Sequence, residues 1–319
     1  NGMQEADQNI ARQMMDRMKE IIKQNGNPVR GSDHYSVMEN YQKMEMFLNA
    51  ARQEEKDNVI LYEIDIDGGI TRKEYTYDGE NMFVMSAKML WNDDTEPMLT
   101  YISLSKIKEW KYTEYGNFCY EVCVPEPPEV TEIVDGSCII RVRPLNEECL
   151  EYSEKYVGPL GYQGNNLLCS NWNIENMQDL DYNGIFEYLY NMKYGKKFSN
   201  ETGVAGVTAD EFESVIMTYL PVTAEELKEW AVYDEQSNTY AWQRLGCGNY
   251  APTHFGLSLP EVIEIKHNED GTVVLTINAV CDSVVCNDAV ITHELTVKFQ
   301  NDGSVHYVGN RILGNGIDN

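Results

Sequence analysis

The chain has 319 residues, enough for about two domains at the usual ~100–200 residues each. Its 52 Asp and Glu against 25 Lys and Arg give a net charge of −27, which opposes duplex nucleic acid and anionic membrane faces, since both bind proteins through basic residues. Yet 42% apolar content with 21 Tyr and 5 Trp is too much core material for a disordered acidic chain.

Met3, Ile10, Met14, Met18, Ile21 and Ile22 recur at helical spacing, so residues 3–24 are a predicted helix that Asn25-Gly26 ends. A second helix is expected from a Ser36-x-x-Glu39 capping box, with Tyr41, Met44, Phe47, Leu48 and Ala51 on one face. From Val59 the period changes to two. Strand-like runs at 59–67, 70–78, 81–91, 106–115, 117–124 and 138–143 spell an antiparallel meander backed by the N-terminal helices. Pro125-Glu126-Pro127-Pro128 is a stiff connector within it. Helical patterns follow at 147–156, 174–193, 208–220 and 223–232, the last two opened by Thr208-x-x-Glu211 and Thr223-x-x-Glu226 boxes. Four strand-like runs close the chain, at 261–267, 272–281, 290–300 and 304–313. The expectation is an α+β protein: an N-terminal helix (1–30), a helix-plus-meander domain (31–145) and a domain of helices followed by a four-stranded antiparallel sheet (146–319).

Several motifs come close to a known chemistry. Residues 63–74 nearly spell a calcium loop, with Asp65, Asp67 and Glu74 at ligand positions. A hairpin turning at Gly68-Gly69 fits better: Ile60 then faces Tyr77, Tyr62 faces Tyr75 and Asp65 faces Arg72, although Glu63 falls opposite Glu74. Gly246-Cys247-Gly248-Asn249-Tyr250-Ala251 matches a dinucleotide fingerprint, but Pro252 stands where the helix should begin. His293-Glu294 opens a zinc-protease motif whose second histidine is absent. His293 instead shares the apolar parity of Ile291, Leu295, Val297 and Phe299, which predicts a buried, satisfied imidazole. Cys247 with His254 is a weak thiol dyad. No cofactor, metal ligand set or catalytic residue is nominated.

The eight cysteines permit four disulfides. Cys119 and Cys123 sit ~13 Å apart on one strand face, too far to pair with each other, while Cys138 on the next run is a candidate partner for either. Cys281 and Cys286 are expected to bridge a six-residue loop, because odd-to-odd matching of the flanking strands forbids a simple two-residue turn between them. The alternative is eight reduced core thiols. Asn1-Gly2 is read as the start of a mature or trimmed product. The longest uncharged run, Val157 to Ile174, is full of Gly, Asn, Gln and Ser, whose polar groups hydrocarbon does not satisfy.

Two nearly uncharged loops stand out, 157–173 and 245–260. Tyr162, Asn165, Asn166 and Trp172 in the first, with Asn249, Tyr250, His254 and Phe255 in the second, offer aromatic faces and amides that suit a sugar or a peptide. A Cys169–Cys247 bridge would staple the two together. The bland reading is a pair of packed Ω-loops whose aromatics finish a core.

VGPLGYQGNNLLCSNWN (157–173), TYAWQRLGCGNYAPTHFGLSLPEV (239–262) and CDSVVCNDAVITHELTVKF (281–299) together resemble an uncharacterised family of secreted lipoproteins from anaerobic gram-positive bacteria, the likeness covering most of 140–319. The resemblance implies a cell-surface location through a lipid anchor absent from this chain, and carries over no catalytic residue. The expected function is a monomeric, non-catalytic, surface-anchored binding module for an unknown sugar, peptide or other small molecule. An extracellular hydrolase on carbohydrate or peptide, and an envelope assembly protein or lipid carrier, are the alternatives.

Overall fold

A computed structural model describes residues 2–65, 68–91, 97–125, 136–199, 206–242, 258–281, 289–301 and 303–314. The chain is α+β and divides into two compact units, one over Asn1–Leu145 and the other over Asn146–Cys281 with Ala289–Asn319. Among the described residues no helix is long and apolar enough to cross a membrane.

The first unit is a curled seven-stranded sheet in the order β1 to β7: Val29–Gly31, Asp57–Ile64, Ile70–Tyr77, Met82–Trp91, Pro97–Tyr112, Asn117–Val122 and Ser137–Arg141. All neighbours are antiparallel except β1, which pairs parallel to β2. Helix α1 spans Gly2–Gln24 and gives way at Gly26, whose φ of 73° is the left-handed conformation glycine adopts without strain. Helix α2 (Tyr41–Arg52) turns Met44, Phe47, Leu48 and Ala51 into the sheet. There they meet Val59, Leu61, Tyr75, Val84, Phe118, Tyr120 and Ile140 in one core. The curl brings β3 to β6: the Tyr75 and Tyr120 hydroxyls lie 3.2 Å apart.

Three expectations change here. Ser36 does not cap α2, which begins five residues later at Tyr41. The backbone of Glu39 pairs instead with Val29, its N–H donating at 2.8 Å and its carbonyl accepting at 3.2 Å, so a tertiary pairing displaces the local cap. The β2–β3 hairpin exists with a register shifted by three. Tyr62 faces Arg72 and Val59 faces Tyr75. That shift sets Glu63 beside Lys73 (2.6 Å) and Asp65 beside Lys88 (2.6 Å), and separates Glu63 from Glu74. Finally, Cys138 faces Tyr120 while Cys119 faces Ile139. Directly opposed residues share a sheet face, so Cys119, and Cys123 which continues its parity, lie across the sheet from Cys138 and do not bridge to it.

The second unit opens with α3 (Glu147–Tyr152), which continues as a π-turn through Val157. The two-residue strand β8 (Trp172–Asn173) and a 3₁₀ turn (Met177–Asp179) precede α4 (Tyr182–Tyr194), so the predicted 174–193 helix starts only at Tyr182. Short strands β9 (Val207–Thr208), β10 (Tyr233–Asp234) and β11 (Thr239–Tyr240) form a small sheet around α5 (Ala209–Tyr219) and α6 (Ala224–Trp230). The Thr223–Glu226 capping box is present in both directions, whereas Thr208 makes no side-chain cap. The main sheet orders β12 (Leu259–His267), β13 (Thr272–Val280), β14 (Ile291–Phe299), β15 (Val305–Ile312) and then β8. It has five strands rather than four, because β8 returns from the preceding loop to its edge.

Candidate functional site

Odd residues pair with odd between β13 and β14, Leu275 with Leu295 and Ile277 with His293, so one face of β14 is buried and the other open. His293 is fully buried. Its Nδ1 lies 2.6 Å from Asn310 Oδ1 on β15, and its Nε2 lies 2.8 Å from the Tyr162 hydroxyl. Asn310 Nδ2 donates to the carbonyls of Leu168 and Ser170, which orients its amide and leaves Oδ1 as an acceptor. The imidazole therefore carries its proton on Nδ1, and Tyr162 donates to Nε2. Burial pushes the imidazole down to about 4 against the Asn310 hydrogen bond, so it is neutral at neutral pH.

The four described residues of the first candidate loop are placed as follows. Tyr162 and Trp172 are each 3% exposed. The indole of Trp172 donates to the Leu167 carbonyl at 2.7 Å. Asn165 donates to the Gly161 and Gln163 carbonyls and accepts from Leu167 N–H. Asn166 donates to the Asp179 carbonyl and accepts from Asp181 N–H, both at 2.8 Å. Tyr162 binds the sheet through His293, Asn165 and Trp172 hold the loop to itself, and Asn166 ties it to the turn before α4. Asn249, Tyr250, His254, Phe255, Cys247 and Cys286 lie outside the described residues, and no disulfide is found among the described ones.

What the loop does build is a cleft of about 940 Å³ on the open face of the sheet. Its floor is a short lattice across three strands. Thr296 on β14 faces Gly309 on β15, which faces Asn173 on β8. In the next row Glu294 faces Arg311, whose Nε and Nη2 donate to Glu294 Oε2 at 3.1 and 2.5 Å. Asn171 and the turn residues Glu175 and Asn176 complete the lining. Gly309 keeps the centre of the floor low: a Cβ there would stand 3.2 Å from the Trp172 carbonyl oxygen. Asn171 accepts from Ile312 N–H at 2.7 Å, so a side-chain amide takes the place of a paired strand just beyond β8.

The sequence profile of a family of unknown function, DUF6070, matches residues 1–319. The chain belongs to that family. No curated protein and no solved structure matches it.

Sequence reasoning met Glu294 only in the incomplete zinc-protease motif and nominated none of Asn171, Asn173, Asn176, Thr296 and Arg311. Two signals pointed to four of these six residues. Alternation along β14 sets Glu294 and Thr296 opposite the buried His293 face, and Asn171 and Asn173 flank the buried Trp172.

Proposed function

We propose that the chain is a non-catalytic binding module whose ligand seat is the cleft between β14, β15 and β8, taking a polar ligand of the sugar or peptide class. The observation that carries the reading is a lining rich in unengaged donors and acceptors at a volume within the ~300–1,000 Å³ of ordinary ligand sites. Asn171 Nδ2, Asn173 Nδ2, Glu294 Oε1, the Thr296 hydroxyl and the Glu175 carboxylate make no hydrogen bond to another described residue. A surface-anchored, extracellular setting belongs to the same proposal and rests on the likeness of 157–173, 239–262 and 281–299 to secreted lipoproteins. The Cys281–Cys286 bridge goes with that setting, and alkylation of Cys281 without prior reduction would remove it.

The test is a peptide and glycan array probed with the protein and with Thr296→Trp, which plants an indole on the cleft floor at a half-exposed strand position. Ligands held by the parent and lost by a variant of unchanged melting temperature support the seat. Equal retention by the variant, or no ligand for the parent, refutes it.

A further inference from the structure

We infer that the cleft takes an extended peptide segment bearing a basic side chain, which rests on the binding reading above and narrows its ligand. The first ground is what lines the site. Trp172, its one aromatic lining residue, has its ring in the core, so the described lining offers a pyranose no aromatic face on which to stack.

The second ground is how this unit uses asparagine. A side-chain amide carries one carbonyl and one N–H₂, the same acceptor and donor as a peptide unit. Asn166 closes such a pair with the Asp179 carbonyl and Asp181 N–H. Asn183 does the same with the Ala241 carbonyl and Val232 N–H, every bond at 2.8 Å. In the cleft the pairing is half made. Asn171 Oδ1 accepts from Ile312 N–H and Asn173 Oδ1 from Glu175 N–H, each at 2.7 Å. Both Nδ2 groups remain to donate, and alternate carbonyls of an extended chain running along the end of β8, which share one edge, are the matching acceptors.

Charge supplies the third ground. Glu175, Glu294 and Arg311 sum to −1 along the lining, and Arg311 binds only Oε2 of Glu294. Glu294 Oε1 and Glu175 therefore favour a cation, within a chain whose net charge is −27. A lysine or arginine side chain lying over Gly309, in the cleft that both carboxylates line, is the complementary group.

The experiment is fluorescence polarisation with a labelled hexapeptide of alternating threonine and lysine, its threonine–glutamate counterpart, and calorimetry with chitotetraose as a neutral sugar. The lysine peptide is expected to bind at least tenfold tighter than the glutamate peptide and to weaken several-fold between 50 and 200 mM salt. Asn173→Ala is expected to weaken it about tenfold, and Glu294→Gln to erase the preference over the glutamate peptide, with melting temperatures held. Equal binding of the two peptides, or indifference to both substitutions, overturns the inference. If chitotetraose binds through Asn173 and the lysine peptide does not, the peptide inference fails while the binding module stands. If no probe binds, both fall.

Discussion

The Tyr162 hydroxyl donates to His293 Nε2 across 2.8 Å, a buried bond that joins the Asn310 amide and the β8–β15 pairing in fastening the 157–173 loop to the main sheet of the second unit. Tyr162 is 3% exposed and its ring meets the imidazole edge-on at a centroid distance of 5.7 Å. Tyr162→Phe keeps the ring but leaves Nε2 buried without a donor, a loss expected to be ~1–3 kcal/mol. Tyr162→Ala also opens a cavity and should cost ~3–5 kcal/mol. Urea titration of the two variants separates the terms, and a Tyr162→Ala that melts with the parent would contradict the buried placement.

His293 also gives the protein a specific acid sensitivity. Its folded pKa of about 4 lies below the ordinary histidine value, so between the two the unfolded chain binds the extra proton. Stability from the neutral imidazole is thus complete above about pH 6.5 and falls as pH drops toward about 4, by on the order of 3 kcal/mol in total. His293→Phe is less stable at pH 7, because Asn310 and Tyr162 lose their partner, but should lose less on acidification. Denaturant midpoints at pH 7, 6, 5 and 4 for both proteins check the sign. Parallel curves would place the titration elsewhere.

His293, Leu295 and Val297 show why much of this fold was legible. Strict alternation with one buried face marks a strand and its inward side together, and α2 revealed Met44, Phe47, Leu48 and Ala51 by the same logic at helical period. Legibility ended where a distant partner decided the outcome. Ser36 and Glu39 are a sound local cap, but Val29 claims the Glu39 backbone. The start of β5 escaped because Met98, Leu99, Tyr101, Ile102 and Leu104 are exposed and fall on both parities. The cleft was hidden for another reason. Its floor joins residues 171–176 to 294–312, and β8 is too short to carry any period of its own. Tyr162, Asn165, Asn166 and Trp172 drew notice as one uncharged loop, while Asn171 and Asn173, either side of Trp172, are the amides that line the cleft.

The Glu63–Lys73 pair sits 2.6 Å apart with side chains only 14% and 17% exposed. Glu63→Gln strands the Lys73 ammonium in a dry site and is expected to cost ~3–5 kcal/mol, whereas the double change Glu63→Leu with Lys73→Met should be near neutral. Chemical denaturation of the two variants reads this directly. A double variant as unstable as Glu63→Gln would mean the pair contributes through packing of its stems instead.

Glu45 on α2 joins that helix to β5 and to the residues just after β7. Its carboxylate accepts from the Tyr112 hydroxyl and from Arg143 Nε (2.9 Å) and Nη2 (2.7 Å). Arg52 on the same helix donates to the Tyr112 carbonyl and lies over its ring at 5.2 Å. Burial first, and then the bond to Glu45, hold the Tyr112 phenol well above its usual range, so this tyrosine stays protonated while the fold persists. The two partners of Glu45 are unequal in worth. Arg143 is half-exposed and its ion pair is screened by solvent, giving at most ~1 kcal/mol, while Tyr112 is 3% exposed and its hydroxyl has Glu45 as acceptor. Glu45→Gln, which keeps an oxygen in place, should therefore cost under about 1 kcal/mol, and Glu45→Ala ~1–3 kcal/mol. Adding Tyr112→Phe to Glu45→Ala removes the stranded hydroxyl and should recover part of that loss, a coupling that a double-mutant cycle in urea measures. If the two changes add without coupling, the phenol finds another acceptor when Glu45 is gone, and α2 is held by its apolar face alone.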